Sequence, residues 1–90
     1  MIASIKHSEL KNLFDKGTSR GLSATLKKSL LLWLSIMHAA KDLGDVTISK
    51  VSTLEEDGES YRLYVQGLGT FSFQFVDGEI RRLNYRQDLK

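Results

Sequence analysis

Arginines and tyrosines are the residues of this chain best suited to chemistry. Arg62 and Tyr64 lie two apart, and Arg81, Arg82, Tyr85 and Arg86 crowd the C-terminal end. A guanidinium holds phosphate and an aromatic ring stacks on a base, which is how single-stranded RNA is commonly bound. A positioned tyrosine or arginine can also serve proton transfer. The alternative is an ordinary solvated sheet face or edge, where the same residue types are frequent. Other chemistries lack their parts. With no cysteine there is neither a disulfide nor a thiolate metal site. His7 and His38 have no partner at metal-ligand spacing. Gly67-Leu68-Gly69 lacks the lysine and the helix of a phosphate loop. No serine, histidine and acid arrangement suggests acyl transfer.

These side chains need elements to hold them, and two hydropathy patterns supply them. Met1–Ile5 reads as a short strand. Ser8 reads as the cap of a first helix carrying Leu10, Leu13 and Phe14, stopped at Gly17. A second helix starts at Ser23 or Thr25 and ends at Gly44. It carries one stripe of Leu26, Leu30, Trp33, Met37 and Ala40, and another of Leu32, Ile36, Ala39 and Leu43. Two stripes make its middle apolar nearly all round. Part of the Leu31–Leu34 stretch is therefore expected against the sheet, and part against the first helix or another chain. Leu31, Trp33 and Leu34 are the candidate partner-binding residues, with plain core packing as the alternative.

From Val46 the period changes to two. Ile48–Leu54 reads as a strand ending in an acidic turn, Glu55-Glu56-Asp57-Gly58. Tyr61–Val65 and Phe71–Phe75 follow, joined by Gly67-Leu68-Gly69. The Asp77-Gly78 pair predicts a two-residue hairpin turn into a last strand over 79–86. With regular hairpins, Thr70 opposes Tyr85, Ser72 opposes Leu83, Tyr64 opposes Ser72 and Arg62 opposes Gln74. One face then collects Tyr61, Leu63, Val65, Phe71, Phe73, Phe75 and Ile80. The other collects Arg62, Tyr64, Gln66, Thr70, Ser72, Gln74, Arg81 and Tyr85. A bulge would flip part of this assignment.

Ninety residues make one domain, 1–90. The fold class is α+β, two N-terminal helices on a curved antiparallel sheet of three to five strands. The net charge of +2 is too small to define a nucleic-acid binder by itself. Its distribution is uneven, with acids at 55–59 and bases at 81–90. The first thirteen residues have no secretory signature. The apolar run of Leu30–Met37 is far short of the roughly 20 residues of a membrane span. A cytoplasmic protein that does not enter membranes is the expectation.

Along its whole length the chain resembles the HigB branch of the RelE-like toxin superfamily. The resemblance rests on Ile2, Lys6, His7 and the Leu13-Phe14 pair. It continues through Lys16-Gly17, Leu34-Ser35-Ile36-Met37-His38-Ala39-Ala40, Tyr61–Val65, Phe71-Ser72-Phe73-Gln74-Phe75, Asp77-Gly78 and Leu83-Asn84-Tyr85-Arg86. It implies a RelE-like fold and ribosome-dependent mRNA cleavage without metal or cofactor, by attack of the ribose 2′-hydroxyl on the adjacent phosphate. It also implies a cognate antitoxin, a small helix-turn-helix protein, and DNA contact only through that complex. Carried over by position, Tyr85 keeps the family's terminal tyrosine and Arg86 stands where the family has a closing histidine; these two are the catalytic candidates. Arg62, Tyr64, Arg81 and Arg82, which match no family position, are the candidate RNA and phosphate contacts by residue type. Glu55, Thr70, Gln74 and Asn84 stand where the family pattern has other residues: a base near 55, arginines at 70 and 74, and an aspartate at 84. Three readings follow: an active ribosome-dependent endoribonuclease toxin, a catalytically altered module that binds an antitoxin-like protein or RNA without cleavage, and an α+β domain with an unrelated partner.

Overall fold

Among the described residues, alternating apolar and polar positions after 51 produce four antiparallel strands in simple meander order, β1-β2-β3-β4. They are β1 (Ser52–Asp57), β2 (Ser60–Val65), β3 (Gly69–Val76) and β4 (Glu79–Arg86). The computed structural model describes residues 1–17, 21–47 and 51–87. Two helices, α1 (Ser8–Lys16) and α2 (Ala24–Ala39), and a 3₁₀ turn over Leu43–Val46 precede the sheet. Met1–Lys6 runs parallel to β4 through bridges Ile2–Ile80 and Ile5–Leu83, so the predicted N-terminal strand exists as a minimal fifth strand. The ladder continues with Ala3 N–H donating to Ile80 O and Lys6 N–H to Leu83 O, both at 2.7 Å.

The core lies between the helices and one sheet face. Leu10 and Leu13 from α1 and Leu30, Trp33, Leu34 and Met37 from α2 pack on Leu63, Phe71, Phe73, Ile80 and Leu83. Truncating a buried phenylalanine such as Phe71 or Phe73 to alanine costs about 3–5 kcal/mol. The first stripe of α2 is the buried one. The second is mixed: Ile36 and Leu43 pack partly on the core, but Leu32 is 60% exposed and its neighbour Leu31 37%, while Trp33 and Leu34 are sealed in the core at 6% and 1%. This divides the expected Leu31, Trp33 and Leu34 partner surface. Leu31 remains available, together with Leu32, and the other two hold the fold.

Several boundaries differ from the sequence expectation for local reasons. The cap of α1 is His7, whose Nδ1 accepts the Leu10 N–H at 3.2 Å, so Ser8 is the first helical residue. Ser23 caps α2 by accepting the Leu26 N–H. That helix stops at Ala39, before Gly44, because a new turn begins behind it. Asp42 and Asp45 form a capping box there, and Asp45 Oδ2 accepts the Lys41 N–H at 2.9 Å. These backbone donors hold the Asp45 carboxyl below its usual value. Glu55, Glu56 and Asp57 form the end of β1, paired with Arg62, Tyr61 and Ser60, and not a turn. The Ile48–Lys50 part of the expected first strand lies outside the described residues. Asp77 and Gly78 both have positive φ, 51° and 77°, as the predicted hairpin turn requires.

Candidate functional site

Register decides which side chains share a face. Cross-strand partners point to the same side, and side chains alternate along each strand. Between β2 and β3 the pairs are Tyr64–Thr70, Leu63–Phe71 and Arg62–Ser72. The expected register is displaced by two residues, because the loop spans Gln66–Leu68, closed by Val65–Gly69. An even shift keeps every residue on its expected face. The β3–β4 ladder behaves differently. It starts as expected, with Val76–Glu79, Phe75–Ile80 and Gln74–Arg81. A bulge between Ser72 and Gln74 then changes the pairs to Ser72–Asn84, Phe71–Tyr85 and Thr70–Arg86. Arg82 is the extra residue, at φ 55°. Its N–H donates to Ser4 Oγ at 2.9 Å.

The one-residue slip exchanges faces at the end of β4. Tyr85, expected opposite Thr70 on the polar face, turns into the core at 6% exposure. Its ring lies 5.1 Å from that of Phe71 and 6.2 Å from the ring of His7. Its hydroxyl donates to Leu68 O at 2.5 Å, and burial pushes the phenol up from its ordinary value. Arg86 takes the outward place opposite Thr70, which separates it from Tyr64 in the same row. Asn84 faces outward as well, opposite Ser72, and its Oδ1 accepts the Tyr85 N–H at 2.9 Å.

The polar face is therefore a grid of three rows. One runs Thr53, Tyr64, Thr70, Arg86. The next runs Glu55, Arg62, Ser72, Asn84. The third runs Asp57, Ser60, Gln74, Arg81. Arg62, Tyr64, Arg81 and Arg86 come together on it, and so do Glu55, Thr70, Gln74 and Asn84. The sequence set these eight apart, and the structure brings them onto one surface. Arg82 stands at the bulge, and Tyr85 lies behind the sheet.

Charge is graded across the grid. Arg62 is ion-paired to Asp57 at the β1 side. That bond, reinforced by Tyr64, raises the guanidinium further above its ordinary value. Arg81 bonds Glu79 at 2.8 Å with the same effect. Arg82 and Arg86 make no side-chain ion pair among the described residues, which leaves the β4 side the more available to an anion. Exposed pairs of the Arg62–Asp57 kind are worth little, so a phosphate can displace either acid at small cost.

His7 was missed as a site neighbour. It reads in sequence as an isolated histidine, and its place beside Tyr85 follows from capping α1. His38 is structural, as its isolation suggested: Nδ1 accepts the Ile2 N–H at 3.2 Å, and its ring tilts on Phe14 at 5.3 Å.

Two helices on one side of a four-stranded antiparallel meander, with a polar arginine-bearing face on the other, are the architecture of RelE-like toxins. No family model matches the chain. It is 34% identical over 88 residues to Endoribonuclease HigB of Proteus vulgaris, across 94% of this chain and 96% of that protein. The chain belongs to the HigB family, the toxin halves of type II toxin–antitoxin pairs. No helix among the described residues is long and apolar enough to cross a membrane.

Proposed function

We propose that this toxin is an endoribonuclease that cuts mRNA on the ribosome, in the cytoplasm, with the polar face of its sheet as the RNA platform. The observation that carries the reading is the convergence of Arg62, Tyr64, Arg81 and Arg86 on one face beside a family resemblance that spans the chain. Tyr64 offers a ring for a base. Arg81 and Arg86 offer charge to successive phosphates. In the cleavage step the 2′-hydroxyl gives its proton to solvent as its oxygen attacks phosphorus, and the 5′-oxygen takes a proton from solvent as its bond to phosphorus breaks, leaving a cyclic phosphate and a 5′-hydroxyl. Negative charge grows on the phosphoryl oxygens as this proceeds. Arg86, extending from the fixed end of β4, is aligned to stabilise that charge. Tyr85 is a positioning residue in this scheme: its anchored ring fixes the strand end from which Arg86 projects.

The antitoxin is a small helix-turn-helix protein in this reading, and DNA is met only through the complex of the two. The test is induction in a bacterium that lacks the neighbouring gene, beside Arg86→Ala, with growth and new 5′ ends on an abundant mRNA as readouts. Growth arrest with cuts in translated regions, both lost in the variant, is the expected result. Normal growth and intact transcripts from confirmed folded protein would instead favour the binding module without cleavage.

A further inference from the structure

A cleft of about 180 Å³ opens on the opposite side of Tyr85 from the polar face, between the first turns of α1 and α2 and the end of β4. Leu22, Leu26 and Leu30 give it an apolar floor, Tyr85 and His7 an aromatic wall, and Glu9 its charge. His7 caps α1 through Nδ1, which accepts the Leu10 N–H, and that bond requires the neutral ring. Glu9 is then the single charged group among the described lining residues. The Glu9 side chain is half-buried and makes no hydrogen bond or ion pair among the described residues. Its place depends on Gly21, where an added Cβ would come within 2.0 Å of Glu9 Oε1.

A half-buried carboxylate over an apolar floor, beside aromatic rings, is complementary to one group above others. We infer that the cleft receives an arginine side chain from a protein partner. The three methylenes of arginine match the leucine floor, and its planar fork matches a carboxylate in bidentate geometry and an aromatic wall in stacking. Nucleic acid is the wrong class, because Glu9 repels a phosphate backbone. Protein is the class that also suits the rest of α2, where Leu31 and Leu32 stand exposed on the same helix as Leu26 and Leu30. A partner reaching round α2 would cover those leucines while its arginine fills the cleft, since they lie about 100–200° around the helix from Leu30. The inference rests on the toxin–antitoxin reading for the partner's identity, the protein encoded beside the toxin gene, but not for the chemistry of the cleft.

Two measurements decide it. The dissociation constant of the complex between the full chain and the neighbouring-gene protein is measured for wild type, Glu9→Gln and Gly21→Ala. The second variant leaves the carboxylate in the chain but drives it from its seat. Both are expected to weaken the complex at least tenfold with unchanged melting of the free chain, and unchanged affinity would overturn the inference. In parallel, N-acetyl-arginine amide is titrated into the labelled chain, with the citrulline amide as its neutral isostere. Saturable shifts at Gly21 and at the Leu22 and Leu26 methyls are expected with arginine. They should be at least tenfold weaker with citrulline and lost in Glu9→Gln. An equal response to both probes, or no response, overturns the inference. If wild type forms no complex with the neighbouring protein, the antitoxin reading fails separately, and the titration alone decides the cleft.

Discussion

Tyr85→Phe and Arg86→Ala should separate two neighbours that the sheet sends to opposite faces. Removing the Tyr85 hydroxyl deletes a 2.5 Å bond to Leu68 O inside the core. The net value of such a bond is about 0.5–1.5 kcal/mol, and a buried carbonyl left without a donor costs about 1–3 kcal/mol. A loss of about 2 kcal/mol is the expectation, which for a domain of this size lowers the melting temperature by about 8–16 °C. Arg86 is exposed, and its truncation should stay within about 0.5 kcal/mol of wild type. Urea titrations followed by circular dichroism read both. RNA cutting should show the reverse order, with Arg86→Ala abolishing it and Tyr85→Phe retaining part of it at temperatures where the variant is folded. Tyr85 also carries a pH signature. Burial raises its folded-state value above the ordinary 10.0, so the folded chain keeps a proton that the unfolded chain releases. That contribution is whole below pH 10.0 and is lost as the pH climbs through the folded-state value. The Phe variant lacks this part of the alkaline decline. A Tyr85→Phe protein as stable as wild type, with an unaltered alkaline limb, would refute the assignment of the phenol to the core.

The strand ends support two further expectations. Gly69 sits at φ 140°, and an added Cβ would come within 2.3 Å of Arg86 O. Because the atom it meets is backbone and cannot swing aside, Gly69→Ala should cost about 3 kcal/mol, read as a lowered urea midpoint; a neutral substitution would show that the β3–β4 end is looser than described. At the bulge, Arg82 holds φ 55°, where a glycine is at ease and a β-branched residue is not. Arg82→Gly should match wild-type stability to within about 1 kcal/mol while Arg82→Val falls about 2 kcal/mol below it, and equal melting of the two variants would argue against the bulge.

Much of the framework was legible because its causes are local. The α2 stripe of Leu30, Trp33 and Met37, the alternation of Leu63, Val65, Phe71 and Phe73, and the Asp77-Gly78 turn each carry their structure within a few residues. So does the grouping of Arg62, Tyr64, Thr70, Gln74 and Arg81 on one face, since an even shift of register does not change sides. The family was legible for a different reason: order and spacing persist along the chain even where individual site positions differ.

What tertiary structure alone decided is the last turn of the site. Whether Tyr85 or Arg86 faces outward depends on the bulge at Arg82. That bulge is held by Ser4, 78 residues away in sequence, whose Oγ accepts the Arg82 N–H and whose carbonyl accepts that of Leu83. The aromatic wall of the Glu9 cleft is likewise completed only when β4 brings Tyr85 alongside His7, which caps α1 by a local bond. Nothing in the Leu83-Asn84-Tyr85-Arg86 stretch encodes the extra residue. Period-two alternation predicts faces only while the ladder is regular, and here a distant strand supplies the partners that make the irregular one stable.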